Sequence, residues 1–408
     1  MTDAIMPVSD LAGVRNLPRW FGTVFETVNC LARGRLDIQL PDGRWFRAEG
    51  SEAGPHGTVI CHDNRVWGRT IRDGADIGFA EAYVDGWWSS PDLQAVLDVS
   101  LLNNEEMARN LSLSTLARLI ERTRHWLRRN SRSGSKRNIM AHYDLGNAFY
   151  ETWLDGSMTY SSALFHKPGE TLEAGQANKY GALCDALNVQ RDETVLEVGC
   201  GWGGFAEYAA RERGAKVNGI TISPAQLDYA QKRIFEAGLA ERVTLELRDY
   251  RAQEGRFDHI ASIEMFEAVG EKYWPVYFDT LRERLNPGGT ANLQIITIAD
   301  GLFDNYRRNV DFVQKHIFPG GMLPSRAALR QQTDRAGLHW QDSIEFGDSY
   351  SETLRRWSDV FNDRWDEIAP LGFDDRFRRL WNFYLASCAA CFLAGTTDVT
   401  QVQLARAM

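Results

Sequence analysis

The sequence predicts an α/β chain in which a mostly parallel sheet, wound with helices on both faces, follows a smaller α+β domain. Three observations predict it. From residue 193 onward, short apolar runs alternate with helical patterns. One of those runs leads into a glycine-rich turn, VLEVGCGWGGF at 195–205. Upstream, the polar Ser/Gly stretch NSRSGSKRN at 130–138 separates this rhythm from a different one.

The elements follow in order. RLDIQLPDGRWFRAEG alternates apolar and polar residues around Pro-Asp-Gly and reads as a hairpin. GFAEAYVDGWWSSPDLQAVLDVSLL has helical periodicity beside an aromatic cluster. After the boundary, ETVLEVG (193–199) reads as a buried strand and GGFAEYAARERG as a helix closed by Gly214. KVNGITI (216–222) is a strand, and PAQLDYAQKRIFEAGL is a helix with proline in its first turn. VTLELRD (243–249) and FDHIASIEM (257–265) are further strands. A helix, YWPVYFDTLRERLNPGG, and a strand, TANLQIITI, come next, with HWQDSIEF and DVTQVQLAR as closing strands. In such open sheets a ligand sits beyond the carboxyl ends of the strands. Gly199, Thr221, Asp249 and Glu267 all fall at or just after those ends.

Composition narrows the function. The 408 residues suit two or three domains, and 44% hydrophobic with 25% charged is ordinary globular protein. A net charge of −9 argues against nucleic acid as a partner. The charge is uneven, however. Arg118–Asn138 carries eight Lys or Arg against one Glu, with Trp126 and Leu127 inside the run. It reads either as a solvated linker face or as a patch that meets anionic phospholipid. No apolar run is long enough to span a membrane, and the first residues lack a basic region followed by an apolar stretch, so a cytoplasmic protein is expected. The six Cys are scattered, and Cys388-x-x-Cys391 lies in apolar FYLASCAACFLAG, which favours core packing over a metal site.

The glycine turn holds Gly199-x-Gly201-x-x-Gly204, the spacing of a dinucleotide loop. Two details disfavour NAD. The region about 20 residues on, where an acid should hold the ribose, reads GITISPAQ and has no carboxylate. Glu197, two residues before Gly199, would repel a pyrophosphate. A carboxylate there suits a ligand with a positive end, such as the amino group of a methionine moiety. The choice falls on S-adenosylmethionine.

The motifs together resemble one family. ExGCGWG (197–203), GITIS (219–223), DY (249–250), EMFEAVG (264–270), NPGG (286–289) and IFPGGMLPS (317–325) are similar to those of the cyclopropane fatty acid synthases. So are HYDLGNAFYETWLDGSMTYSSALF (142–165), FAEAYVDGWW (79–88) and DVTQVQLAR (398–406), which extends the resemblance over nearly the whole chain. It implies a Rossmann-like class I methyltransferase domain at 139–408, a basic linker at 130–138, and an N-terminal α+β domain at 1–129 that engages lipid or forms a homodimer. It implies a cofactor site in which Tyr160 and Ser161 cover the sulfonium side and Glu197, Gly199 and Gly201 line the methionine end. Thr221 to Gln226 would lie by the ribose, and Asp249 with Tyr250 by the adenine.

The family substrate is an unsaturated acyl chain, usually in a membrane phospholipid, so the enzyme is expected at the inner membrane face as a peripheral protein. Methyl transfer to an alkene leaves a carbocation, which aromatic faces and a carboxylate stabilise. Tyr160 and Phe266 are the aromatics expected near the reaction, from a set that includes Phe149, Tyr150, Phe165 and Phe303. A base then removes a proton; in the family this is a bound bicarbonate held by Cys, Glu, His and Tyr side chains. Glu267 matches the Glu and Tyr350 the Tyr, whereas the Cys position reads Ser162 and the His position Gln294. Both replacements still hydrogen-bond, but Gln cannot become cationic. EMFEAVG and LQIITI look more like the branch tied to methyl- or methylene-branched chains, which implies C-methylation without ring closure. Ring closure to a cyclopropane, a small soluble substrate, and a non-catalytic lipid-binding homologue are the alternatives. No metal is expected.

Overall fold

The computed structural model describes residues 9–104, 106–107 and 145–408. The basic run at 118–138 and the boundary at 130–138 lie outside them. The chain forms two compact units: one holds the described residues up to 107 together with Gly372–Ala394, the other holds 145–371 and Gly395–Met408.

The first unit carries a four-stranded sheet in the order β2-β1-β3-β4. β1 (Arg33–Gln39) and β2 (Trp45–Glu49) form the expected antiparallel hairpin, pairing Ile38 with Phe46. Gly43 closes its turn at φ +88°, a backbone that favours glycine. β3 (Glu52–Cys61) lies parallel to β1, and β4 (Trp88–Ser89) pairs with β3. The aromatic cluster at Trp87 and Trp88 belongs to the packing of this unit. Trp88 is fully buried, stacks on Phe79 and donates its indole N–H to the Phe79 carbonyl at 2.9 Å. Trp87 is covered by the guanidinium groups of Arg65 and Arg69, 4.5 and 5.0 Å from its ring. The helix Asp375–Leu393 packs on helices Ala75–Val84 and Leu93–Leu102. A single domain from 139 to 408 therefore does not describe the chain, because residues 372–394 complete the N-terminal unit. Cys388 and Cys391 lie on this helix.

The second unit carries the expected sheet, seven strands in the order β10-β11-β9-β8-β5-β6-β7. β5 (Thr194–Val198), β6 (Lys216–Thr221), β7 (Val243–Leu247), β8 (Phe257–Ile263) and β9 (Leu285–Ile298) run parallel. β10 (Leu338–Glu345) and β11 (Thr397–Arg406) close one edge, with β11 antiparallel to both β9 and β10. Because successive side chains on a strand point to opposite faces, β5 feeds both cores. Leu196 and Val198 pack with Trp274, Phe278 and Leu329; Val195 packs with Leu183, Phe205 and Ala209. The sheet grows from β5 to β6 and β7 on one side and resumes at β8 on the other, so the chain reverses direction across β5 and β8. That reversal opens a crevice at the carboxyl ends of these strands. No described helix is long and apolar enough to cross a membrane.

Candidate functional site

The crevice begins with the loop after β5. Gly199 has φ +86° and Gly201 φ +50°, conformations that side chains with a Cβ resist. A Cβ on Gly199 would also come within 2.7 Å of Met265 Cγ, whereas one on Gly201 would meet nothing within 4 Å. Gly199 thus permits close packing of the loop, and Gly201 faces open space. Gly199→Ala should weaken S-adenosylmethionine binding by roughly tenfold or more in calorimetry, since its clash adds to about 1–2 kcal/mol of left-handed strain. Glu197, on β5, is buried, and its Oε2 has no hydrogen-bond partner. Burial pushes its carboxyl up to about 8, despite the Ala206 N–H and the charges of Arg233 and Lys179.

The neighbouring strand ends bring up the other expected residues. At the end of β6, Thr221 donates its hydroxyl hydrogen to Gln226 Oε1 at 3.1 Å and accepts from the Ser223 N–H. Beyond β7, the Asp249 carboxylate accepts from Arg251 Nε at 2.8 Å and from the Arg251 backbone N–H. Tyr250 rests edge-on against Tyr277. Ile222 and Leu247 remain half-exposed just past β6 and at the end of β7, apolar surface left open at the crevice mouth.

Above the loop lies a wall of aromatic rings. Tyr160 sits 5.3 Å from Tyr150, 5.3 Å from Trp357 and 5.7 Å from Trp153, centroid to centroid. Tyr150 reaches Trp202 of the glycine loop at 5.0 Å. The helix Asn147–Trp153 is fixed over the loop by Asn147, whose side chain accepts from Trp202 Nε1 at 2.9 Å and donates to the Ala225 carbonyl. Ser161, expected beside Tyr160, instead turns its hydroxyl inward to accept from Lys179 Nζ at 2.7 Å. Lys179 is fully buried and also donates to Gln176 Oε1. Burial pushes its ammonium down to about 7, although Glu264, Asp155 and Glu197 oppose the shift.

The centre of the site is a residue that the sequence reading passed over. Glu264 follows β8 at φ +47°, a backbone rarely adopted by a residue with a Cβ. Its Oε1 accepts the Ser162 backbone N–H at 2.8 Å and Gln294 Nε2 at 2.8 Å. Its Oε2 accepts the Tyr350 hydroxyl at 2.8 Å. Gln294 is oriented in turn by Gln401, which donates to its Oε1 at 3.0 Å. Ser162, Gln294 and Tyr350 do come together, but around a side-chain carboxylate rather than a free anion. Ser162 contributes its backbone; its hydroxyl donates to the Ala163 carbonyl. Glu267 stands beside this cluster. Its Oε1 accepts the Ile296 N–H, and its Oε2 has no partner. Burial, together with the like charge of Glu264, pushes its carboxyl up to about 8.

One expectation is corrected. Phe266 does not line the crevice; it is buried among Trp274, Tyr277 and Phe278 in the core beneath the sheet, at centroid distances of 5.0–5.3 Å. Sequence reasoning missed two residues of the site, Glu264 and Lys179. The only signal for Glu264 was the repeated Glu in EMFEAVG. Lys179 gave none, since a lysine in a helical stretch ordinarily faces water.

Residues 130–402 match the family described as mycolic acid cyclopropane synthetase. The chain is 39% identical over 368 residues to the tuberculostearic acid methyltransferase UfaA1 of Mycobacterium tuberculosis, covering 86% of this chain and 83% of that one. It is 34% identical over 390 residues to the cyclopropane-fatty-acyl-phospholipid synthase of Escherichia coli, covering 91% and 96%. Among solved structures, mycolic acid cyclopropane synthase CmaA1 complexed with SAH and CTAB superposes with a TM-score of 0.63 at 27% identity, over 66% of this chain and 98% of that one. Coclaurine N-methyltransferase bound to N-methylheliamine and SAH shares the fold, with a TM-score of 0.63 at 19% identity, over 80% and 98%.

Proposed function

We propose that this chain, which belongs to the mycolic acid cyclopropane synthetase family of S-adenosylmethionine-dependent methyltransferases, methylates the double bond of unsaturated acyl chains in membrane phospholipids. The observation that carries the reading is the aromatic wall of Tyr150, Trp153, Tyr160 and Trp357, set over the glycine loop and next to buried carboxylates. A weakly nucleophilic alkene needs an enclosed site whose walls stabilise positive charge and keep water out.

The residues present fit S-adenosylmethionine. The unpartnered Glu197 oxygen suits its ammonium, and the open space at Gly201 admits the ligand against backbone. Gly199 and Gly201 would line the methionine end, with Thr221 and Gln226 at the ribose, Asp249 and Tyr250 at the adenine, and Tyr160 on the sulfonium side. Bound there, S-adenosylmethionine supplies an electrophilic methyl group on a cationic sulfur. The chain's own residues hold the acyl double bond in line, face the developing cation with π density, and exclude nucleophiles that would trap it.

Bicarbonate fits poorly. Three of the groups that would bind it are already satisfied by Glu264, and a second anion would sit against two carboxylates. No step is therefore assigned to it. The product we favour is a C-methylated, unsaturated chain, in keeping with the relative named as a tuberculostearic acid methyltransferase; ring closure is the other outcome, in keeping with the relative named as a cyclopropane-fatty-acyl-phospholipid synthase. The enzyme would work as a peripheral protein at the cytoplasmic membrane face, where its substrate is. Homodimerisation belongs to the same proposal.

The test uses liposomes of cis-unsaturated phospholipid and cofactor with a fully deuterated methyl group. The acyl chains should gain one carbon and retain all three labels, because the proton lost comes from the chain. Ring closure would retain two. Absence of label from the acyl chains would overturn the reading.

A further inference from the structure

We propose that Glu264 is the base of this reaction, a side-chain carboxylate standing where the family resemblance implies a bound bicarbonate. The inference rests on the function proposed above and adds to it the identity of the proton acceptor.

Three features carry it. First, the ligand set is preserved but redirected. The Ser162 segment, Gln294 and Tyr350 occupy the positions implied for anion binding, and each donates to Glu264 at 2.8 Å. Between them they fix both carboxylate oxygens, as a site built to position a planar carboxylate would do. Second, the protein accepts a strained backbone to put the group there. Glu264 is held at φ +47°, and strain of this kind concentrates at functional sites. Third, Glu264 is only partly buried, so some of the residue remains accessible.

The charges around it assign its protonation. Lys179 approaches from the helix Leu172–Leu187, Tyr350 from the helix Gly347–Asp363, Gln294 from β9, and Glu267 from the same segment as Glu264 itself. Two adjacent carboxylates do not both ionise readily. Burial raises the Glu264 carboxyl, but the Lys179 charge and the three hydrogen bonds oppose that shift and favour its anion, whereas Glu267, with one oxygen unpartnered, is raised by burial and by the Glu264 charge to about 8. The ionised member is therefore the one that can accept a proton.

The step balances without another reactant. The alkene π pair forms the new bond to the methyl carbon, and the carbon–sulfur pair remains on sulfur. The cation on the neighbouring carbon is discharged when a C–H bond breaks. Its electron pair becomes the new C=C bond, and the proton goes to a Glu264 oxygen. Glu264 returns that proton to solvent when the product leaves.

The test joins turnover to a binding measurement. In buffer stripped of carbon dioxide, full-length wild-type protein should methylate liposomes at the same rate as in buffer with added bicarbonate. Carbon-13 NMR with labelled bicarbonate should show no bound species. Glu264→Gly, whose glycine tolerates the backbone, should lose turnover by about 100-fold or more while keeping its affinity for S-adenosylmethionine. The variant should then bind labelled bicarbonate and recover turnover when bicarbonate or formate fills the space. A wild-type enzyme that binds bicarbonate and needs it, or a Glu264→Gly variant that retains most of its turnover, would overturn the proposal. Should Glu264→Gly fail to fold, Glu264→Gln, of similar shape, carries the test: it should lose turnover to the same extent while keeping its affinity for S-adenosylmethionine, and retained turnover would overturn the proposal. A wild-type protein inactive on every liposome would overturn the proposed function instead, which keeps the two failures distinct.

Discussion

Replacing Glu197 with glutamine is expected to weaken S-adenosylmethionine binding by roughly 10- to 100-fold near pH 8, the loss of a charge-assisted hydrogen bond of about 1.5–3 kcal/mol. In the ligand-free chain Glu197 is a buried carboxyl with an unpartnered oxygen, and burial holds it neutral up to about pH 8. An arriving ammonium gives the ionised form the partner that it lacks, so binding should expel a proton from Glu197. Affinity of the wild type therefore rises with pH, about tenfold per unit below 8. It falls again once the ligand's own amino group, of ordinary pKa about 7.7–8.0, loses its charge. Glutamine keeps the shape of the acid and can still accept the Ala206 N–H, but it has no proton to expel. Calorimetry in two buffers of different ionisation enthalpy measures this directly. The wild type should release close to one proton at pH 7, and Glu197→Gln none. Equal affinity with the same pH slope in both proteins would sink the assignment of Glu197 to the ammonium.

How far the sequence reveals this site depends on whether the determining contacts are local. The parallel sheet is legible because each strand and its following helix are contiguous, and Ser223 and Pro224 mark a helix start within a few residues. DVTQVQLAR is legible as a strand, but not its insertion between β9 and β10, since those pairings join residues 99–115 positions apart for β9 and 55–68 apart for β10. The apolar helix Asp375–Leu393 advertises burial without saying against which unit. At the site, Ser162, Gln294 and Tyr350 were placed by resemblance, and they do converge. Their target was not legible. EMFEAVG offers two carboxylates three residues apart, and only the left-handed backbone at Glu264 determines which one reaches the three donors. Such a backbone is ordinarily announced by glycine, so a glutamate there gives no warning. Phe266 was misplaced for a related reason: composition identifies an aromatic near the strand end but not the face of the sheet on which it packs.

Glu267→Gln should make the protein more stable at pH 8 and leave its stability almost unchanged at pH 5. Burial and the Glu264 charge raise the folded-state value of Glu267 from 4.5 to about 8. Between those values the folded protein keeps a proton that the unfolded chain has released. The sign follows: the stability linked to this group is complete below about pH 4.5 and is lost as pH rises through 8. Each pH unit in that window can cost up to about 1.4 kcal/mol, which in a domain of this size corresponds to roughly 2–4 °C per kcal/mol in melting temperature. Glutamine imitates the protonated acid, keeps an oxygen for the Ile296 N–H, and removes the cost of charging the group. Glu197, raised in the same direction, and Lys179, lowered to about 7, also titrate in this range, but both are present in each protein. The comparison therefore isolates Glu267 together with its coupling to Glu264. Melting temperatures measured from pH 5 to 8.5 without ligand should diverge steadily, with the variant higher at the alkaline end. A constant gap, or a variant that melts earlier at pH 8, would show that Glu267 is ionised in the folded protein.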